Sequence, residues 1–158
     1  KSYFQPLIVM FAIPYGIIGA VIGHLLLGMD FSILSMLGIA ALSGVVVNDS
    51  LVMMDYINRN KDKTNDPIQA ALNAGPARFR PILLTSLTTF IGVMPLIFEK
   101  SIQAKSLVPM AVSLGFGVLF STLVTLILVP SSYIASEKIK EYLLKKIKNQ
   151  LYINSSRK

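Results

Sequence analysis

The chain has 158 residues, 53% of them hydrophobic and 15% charged, with one histidine and no cysteine. Soluble domains carry about 45–50% apolar and about 25% charged residues, so an ordinary water-soluble globule is excluded, as are a disulfide scaffold and a thiolate or multi-histidine metal site within this chain. The net charge of +7 comes from fifteen Lys/Arg against eight Asp/Glu, and its meaning depends on where the cations fall between the apolar runs.

The chain opens on Lys1-Ser2-Tyr3-Phe4 with no initiator Met and no signal peptide, which reads as part of something longer. Four runs are each long enough to cross a hydrocarbon core, which takes roughly 20 apolar residues in a helix. They lie at about 6–27, 31–58, 81–98 and 107–134. The fold class expected is therefore all-α: a helical membrane bundle with residues 1–135 as its transmembrane part and 136–158 as a basic tail.

Gly28-Met29-Asp30 is a very short turn, so the first two runs form a tight hairpin. His24, near that turn, has no second metal ligand nearby and reads as an interfacial residue. The polar connector 59–80 holds an expected short amphipathic helix. Asp66-Pro67 caps it and Gly75-Pro76 stops it. In the tail, Ile139, Tyr142, Leu143, Ile147 and Leu151 recur near helical spacing among lysines. That pattern fits either a basic helix in the headgroup region or a solvated tail. Pro14, Pro95 and Pro109 are candidate kinks.

Thirteen cations collect on the side of the termini and the 59–80 connector, against only Lys100 and Lys105 on the other side. Such an excess marks the cytoplasmic face, so both termini are expected to be cytoplasmic. The same sorting accounts for the basic pI without nucleic acid, which is not an expected partner.

Asp49 is the informative position. It lies four residues past the middle of the second run, about 6 Å along the axis, where a carboxylate costs about 2.5–3.5 kcal/mol to insert. Asn48-Asp49-Ser50 forms a polar triplet between Val45-Val46-Val47 and Leu51-Val52. Two readings stand for Asp49: proton or ion handling, or an interhelical hydrogen-bonding anchor. On the third run, Thr85, Thr88, Thr89 and Gly92 share one narrow polar stripe that could face the carboxylate or simply pack. Arg78 could reach towards this polar core or snorkel to headgroups. Asp55 approaches Arg59 and is solvated.

Small residues at four-residue spacing signal close helix packing: Gly19 and Gly23 on the first run, Ala40 and Gly44 on the second, and Ser113, Gly117, Ser121 and Thr125 on the fourth. No G-x-S-x-G, H-E-x-x-H or Gly-rich phosphate loop occurs. An intramembrane aspartyl protease would need two facing aspartates where this chain offers one. No enzyme, catalytic residue, metal site or cofactor is expected.

Gly44-Val-Val-Val-Asn-Asp-Ser-Leu-Val-Met-Met-Asp-Tyr-Ile-Asn-Arg59, the block Arg78-Phe-Arg-Pro-Ile-Leu-Leu-Thr-Ser-Leu with the following Gly92-Val-Met-Pro-Leu96, and the opening Pro14-Tyr-Gly-Ile-Ile-Gly-Ala20 together resemble the resistance-nodulation-division (RND) multidrug efflux permeases over about residues 5–135. The second block resembles the second half of that family's duplicated membrane domain. The resemblance implies that these are the last four of twelve helices in a homotrimeric, multi-pass inner-membrane proton antiporter exporting amphiphilic compounds. The partners it implies are the lipid bilayer, the remaining N-terminal part of the permease, a periplasmic membrane-fusion protein and an outer-membrane channel. It places the family's relay lysine, arginine and threonine at Asn48, Arg78 and Thr85, with Asn48 unable to carry the lysine's charge. The mechanistic expectation drawn from the residues themselves is that Asp49, flanked by Ser50 and packed against the Thr85/Thr88/Thr89 stripe, titrates during proton passage. The alternatives are a non-transporting membrane scaffold or degraded paralogue, and an RND exporter of lipids or metal ions.

Overall fold

The computed structural model describes residues 4–64 and 66–155. Residues Lys1, Arg157 and Lys158, and the side chains of Leu143, Ile147, Lys148 and Leu151, lie outside the described residues. Regular structure within them is α-helical: α1 (Phe4–Met10), α2 (Ile13–Leu27), α3 (Ile33–Thr64), α4 (Pro67–Ile97), α5 (Ile102–Lys105) and α6 (Val108–Ser155). Four stretches are long and apolar enough to cross a membrane: Gln5–Leu27, Ile33–Lys61, Pro67–Ile97 and Val108–Lys140.

The first stretch is broken at its prolines. Pro14 has no N–H to offer the carbonyl of Met10, and its ring crowds that oxygen. The chain steps out of register at Phe11–Ala12 and restarts as α2, with Pro14 in its first turn. At the other end Gly28 takes φ 62°, and its N–H returns to the carbonyls of His24 and Leu25. The left-handed conformation there is one that glycine adopts without cost.

His24 secures this turn. Its Nδ1–H donates to the Ala20 carbonyl at 2.9 Å, and Nε2 accepts from the Ser35 hydroxyl at 2.8 Å. The Phe31 ring lies 4.9 Å away. The expected interfacial histidine is instead buried, at 3% exposure. An imidazole this deep needs partners for both nitrogens, and the neighbouring helix supplies the second.

Despite their short connection, α2 and α3 make only a small contact with each other. Both, like α4, make their largest contact with α6. Small residues explain why. A Cβ on Gly19 would lie 2.5 Å from Cβ of Phe120 and 2.9 Å from the Phe116 carbonyl, and one on Gly38 would lie 2.5 Å from the Met110 carbonyl. Backbones approach this closely only where a side chain is missing. Gly44 has nothing within 4 Å of a Cβ, so the Ala40/Gly44 pair, read as a packing motif, seats no helix at Gly44, while Ala40 lines an open groove with Ile13, Ile17 and Val21 of α2.

Gly75-Pro76, expected to end a helix, does not. Asp66 caps α4, its carboxylate accepting from the Ile68 N–H at 2.9 Å. The helix then runs through Gly75-Pro76 and Pro81 to Ile97. Each proline removes one backbone bond. Ala70, Ala71 and Ala74 are fully buried, and Ala71 and Ala74 pack with Met53, Met54 and Ile57 of α3 and Val129 and Tyr133 of α6. Tertiary packing of this first segment outweighs the local stop signal, and the 59–80 connector is mostly helical. Likewise α6 continues without a break through Pro130 into the basic tail, spanning about 72 Å at 1.5 Å per residue.

The core has two apolar layers. Ala12, Leu42, Val46 and Val118 form one towards the Gly28 turn. Ile8, Met53, Met54, Ile57, Ala71, Ala74, Ile82, Val129 and Tyr133 form the other, towards the α3–α4 turn. Beyond the second layer, Gln5 and Asn58 exchange amide hydrogen bonds at 2.8 and 3.2 Å, tying α1 to α3. Lys61 meets Glu137 at 3.3 Å, tying α3 to α6. Asp55 pairs with Arg59 at 2.8 Å on the exposed surface.

Candidate functional site: a polar layer around Asp49

Between the two apolar layers the bundle turns polar. Asp49, Ser50, Ser86, Ser121, Thr122 and Thr125 are all buried there. The register between α3 and α6 brings these residues to one level. Gly38 lies against Ser113, and Leu42 against Gly117, so the two helices run parallel with an offset of 75 residues. Carried two turns further, that register sets Ser50 level with Thr125 and Asp49 level with Val124. From α4, Ser86 joins at the same depth, its hydroxyl 2.5 Å from that of Thr122.

Asp49 is 8% exposed. Among the described residues no hydrogen bond or ion pair reaches its carboxylate. No other residue of the layer is charged. A lone carboxyl group in such a place is stabilised only by nearby dipoles, by water, or by taking up a proton. Ser50 beside it is fully buried, and its Oγ has no hydrogen-bond partner among the described residues.

The other residues singled out from the sequence sit elsewhere. Asn48 is exposed on the open face that carries Ala40 and Gly44. Thr85 and Thr88 are exposed as well, and Gly92 has nothing within 4 Å of a Cβ. The three threonine hydroxyls of the stripe all bond their own helix: Thr85 to the Ile82 carbonyl at 2.8 Å, Thr88 to Leu84 at 2.9 Å and Thr89 to Thr85 at 2.8 Å. None bonds Asp49. Arg78 lays its guanidinium over the Tyr56 ring, 4.9 Å from the centroid. Tyr56 is two turns from Asp49, about 10 Å along the axis, so the arginine does not serve as its counter-ion here.

The α6 wall of the layer was visible in the sequence only as a small-residue repeat. Ser121 and Thr125 were placed in a packing stripe, and Ser86 and Thr122 were not singled out. Their signal is that hydroxyls recur on the buried face of an otherwise apolar helix.

A family profile described as the AcrB/AcrD/AcrF family matches residues 1–137, which takes in every residue of this layer. The chain belongs to the AcrB/AcrD/AcrF family. It is a membrane chain of the RND efflux permeases, as the two sequence blocks around Asp49 and Thr85 imply. Among its relatives is the multidrug resistance protein MdtC of Pantoea ananatis (strain AJ13355), 29% identical over 141 residues, covering 89% of this chain and 14% of the relative. The MdtC of Erwinia amylovora (strain ATCC 49946 / CCPPB 0273 / Ea273 / 27-3) is 28% identical over the same length and coverage. Of solved structures, the crystal structure of a heavy metal efflux pump superimposes with a TM-score of 0.74 at 27% identity, covering 85% of this chain and 13% of the pump. The chain thus spans about one-seventh of the curated relatives it matches. The four stretches long and apolar enough to cross a membrane fit the multi-pass membrane chains of this family.

Proposed function

We propose that this chain is the C-terminal membrane part of a proton-driven RND permease that exports amphiphilic drugs or toxic compounds across the inner membrane. On this reading the four helices are the last four of twelve, both termini and the α3–α4 turn face the cytoplasm, and the Gly28 turn faces the periplasm. The cation distribution supports that orientation. The permease works as a homotrimer with a periplasmic membrane-fusion protein and an outer-membrane channel, and the four helices alone do not transport. The multidrug relatives support an amphiphilic cargo. Asn48, Arg78 and Thr85 occupy the family's relay positions, Asn48 without the lysine's charge, with Asn48 and Thr85 on the open face that the rest of the permease would cover, and Thr88 and Thr89 beside them.

One observation carries the proton-coupled reading: Asp49 is a single buried carboxyl group, flanked by Ser50, in a hydroxyl-lined layer with no counter-ion among the described residues. Ionised, it is costly; protonated, it is not. A group in that situation is suited to alternate between the two states as the pump cycles. The test is Asp49→Asn in the full-length polypeptide, with export and its pH dependence measured in vesicles. Loss of proton-coupled export at normal membrane abundance is the expected result. Unchanged export with an unchanged pH profile removes Asp49 from the mechanism.

A further inference from the structure

We propose that the proton exchanged at Asp49 moves along the seam between α3 and α6 on internal water, and that Leu42 closes this path on the side of the Gly28 turn. The proposal rests on the proton-coupled reading above and adds the route and its closure.

Among the described residues, the buried polar atoms without a hydrogen-bond partner mark the route. They are Ser50 Oγ, Ser113 Oγ, Tyr133 Oη, which stands beside the Lys61–Glu137 pair, and Arg78 Nε, and the first three lie on α3 or α6. Ser113 is level with Gly38, Ser50 with Thr125, and Tyr133 packs in the same cluster as Ile57. All three thus follow one interface from end to end. A buried hydroxyl left unpaired costs about 1–3 kcal/mol, and an internal water with two to four polar partners relieves that cost. Asp49, Ser50, Ser121 and Thr125 supply such partners in the middle layer. Hydroxyls alone cannot pass a proton along this line, because Ser113 and Ser121 stand about 12 Å apart along α6, as do Thr125 and Tyr133. Water has to bridge them.

Between Ser113 and Ser121 the seam is dry. Leu42, 1% exposed, fills the space at Gly117. Its Cδ2 lies 3.0 Å from where a Cβ of Gly16 would stand, so glycines of α2 and α6 flank it on two sides. A leucine set between two glycines packs directly on their backbones, so the notch opens only if the helices shift apart. On the far side, Met53, Met54 and Val129 make a second apolar closure. Hydrophobic constrictions of this kind gate by dewetting.

The transfer balances simply. A hydronium in the seam gives its proton to the Asp49 carboxylate, leaving a neutral carboxyl group and water, and release is the reverse. No other titratable side chain faces the layer among the described residues. On α6 the titratable groups nearest the layer are Tyr133, at the far closure, and Glu137 beyond it, paired with Lys61, and α4 offers none between Pro81 and Ile97. Arg78 is held on Tyr56, and on α2 His24 is held on Ser35 while Tyr15 is half-buried. On α3 the next acid is Asp55, paired with Arg59.

The experiment uses the full-length polypeptide in proteoliposomes with an internal pH dye. Leu42→Ala is expected to raise the substrate-free proton leak about fivefold or more by widening the dry constriction, and adding Asp49→Asn returns the leak to the wild-type level. Thr125→Val is expected to cut proton-coupled transport about tenfold and displace its pH profile, with Thr125→Ser within about twofold of wild type. A wild-type leak in Leu42→Ala, a leak that survives Asp49→Asn, or a wild-type pH profile in Thr125→Val each overturns the route. If Asp49→Asn alone blocks export while the route tests fail, only the route falls. If Asp49→Asn leaves export and its pH dependence intact, the proton-coupled reading falls with it.

Discussion

Ser86 on α4 and Thr122 on α6 meet hydroxyl to hydroxyl at 2.5 Å in the middle of the bundle. Ser86 also bonds the Ile82 carbonyl of its own helix at 2.9 Å, so its hydrogen donates to one oxygen while its lone pairs accept from Thr122. Thr122→Val keeps the shape but takes the donor away. Because Ser86 retains its backbone bond, the expected loss is about 1 kcal/mol. The same change at Thr85 or Thr88, whose hydroxyls are exposed and bond only their own helix, is expected to stay within about 0.5 kcal/mol. Thermal unfolding of the single variants in detergent distinguishes the two classes.

Glycine substitutions should separate just as sharply. Gly38→Ala drives a methyl group onto the Met110 carbonyl and Gly19→Ala onto Phe120 and the Phe116 carbonyl, so each is expected to cost about 1–3 kcal/mol. Gly44→Ala and Gly92→Ala enter open space and are expected to be neutral or to stabilise the helices by up to about 1 kcal/mol. Unfolding midpoints of the four-helix segment check both pairs. A cost for Gly44→Ala that appears only in the longer polypeptide marks this face as covered there.

At the Gly28 turn, His24→Ala removes one partner of Ser35, whose hydroxyl keeps its bonds to Ser32, and leaves a cavity beside Phe31. The expected destabilisation is about 2–3 kcal/mol, mostly from lost packing. Backbone hydrogen exchange at residues 28–35 should rise while that at the α3–α4 turn stays constant.

A pH effect is expected at the other short loop. The exposed Glu99 carboxylate accepts from the backbone N–H groups of Ser101 at 3.0 Å and Lys100 at 3.1 Å, and the Ser101 bonds, followed by the Lys100 bond, hold its pKa below the usual glutamate range. A depressed folded value means that the contribution is complete above the ordinary glutamate pKa and is lost as pH falls through the folded one. Acidification across that window should therefore speed exchange of the Lys100 and Ser101 amides, and Glu99→Gln should abolish the pH dependence.

Much of the architecture was legible because the membrane leaves few options. Uncharged runs of about 20 residues must be helices, Asp66-Pro67 starts one, and Gly28 ends one. What was not legible depended on neighbours. Gly75-Pro76 looks like a stop, and only the burial of Ala71 and Ala74 against α3 and α6 shows why the helix carries on. Helical periodicity grouped Thr85, Thr88 and Thr89 on one face, but in a helix apolar all round it could not say which face turns inward. The inward hydroxyl is Ser86, next in sequence to Thr85. Asp49 stood out because an acid in hydrocarbon is expensive wherever it points. Its hydroxyl neighbours on α6 did not, since serine and threonine also serve as plain packing residues.

The dependence of α2, α3 and α4 on α6 bears on how the polypeptide is made. During synthesis the helix on which the others rest emerges after them. Until it does, Gly19, Gly23 and Gly38 present bare backbone to lipid, and the carboxyl group of Asp49 lacks its α6 wall. A ribosome stalled before residue 108 would therefore release a loosely associated set of spans, a natural target for membrane proteases. Emergence of the final span is the moment at which this part of the permease becomes a single folded object.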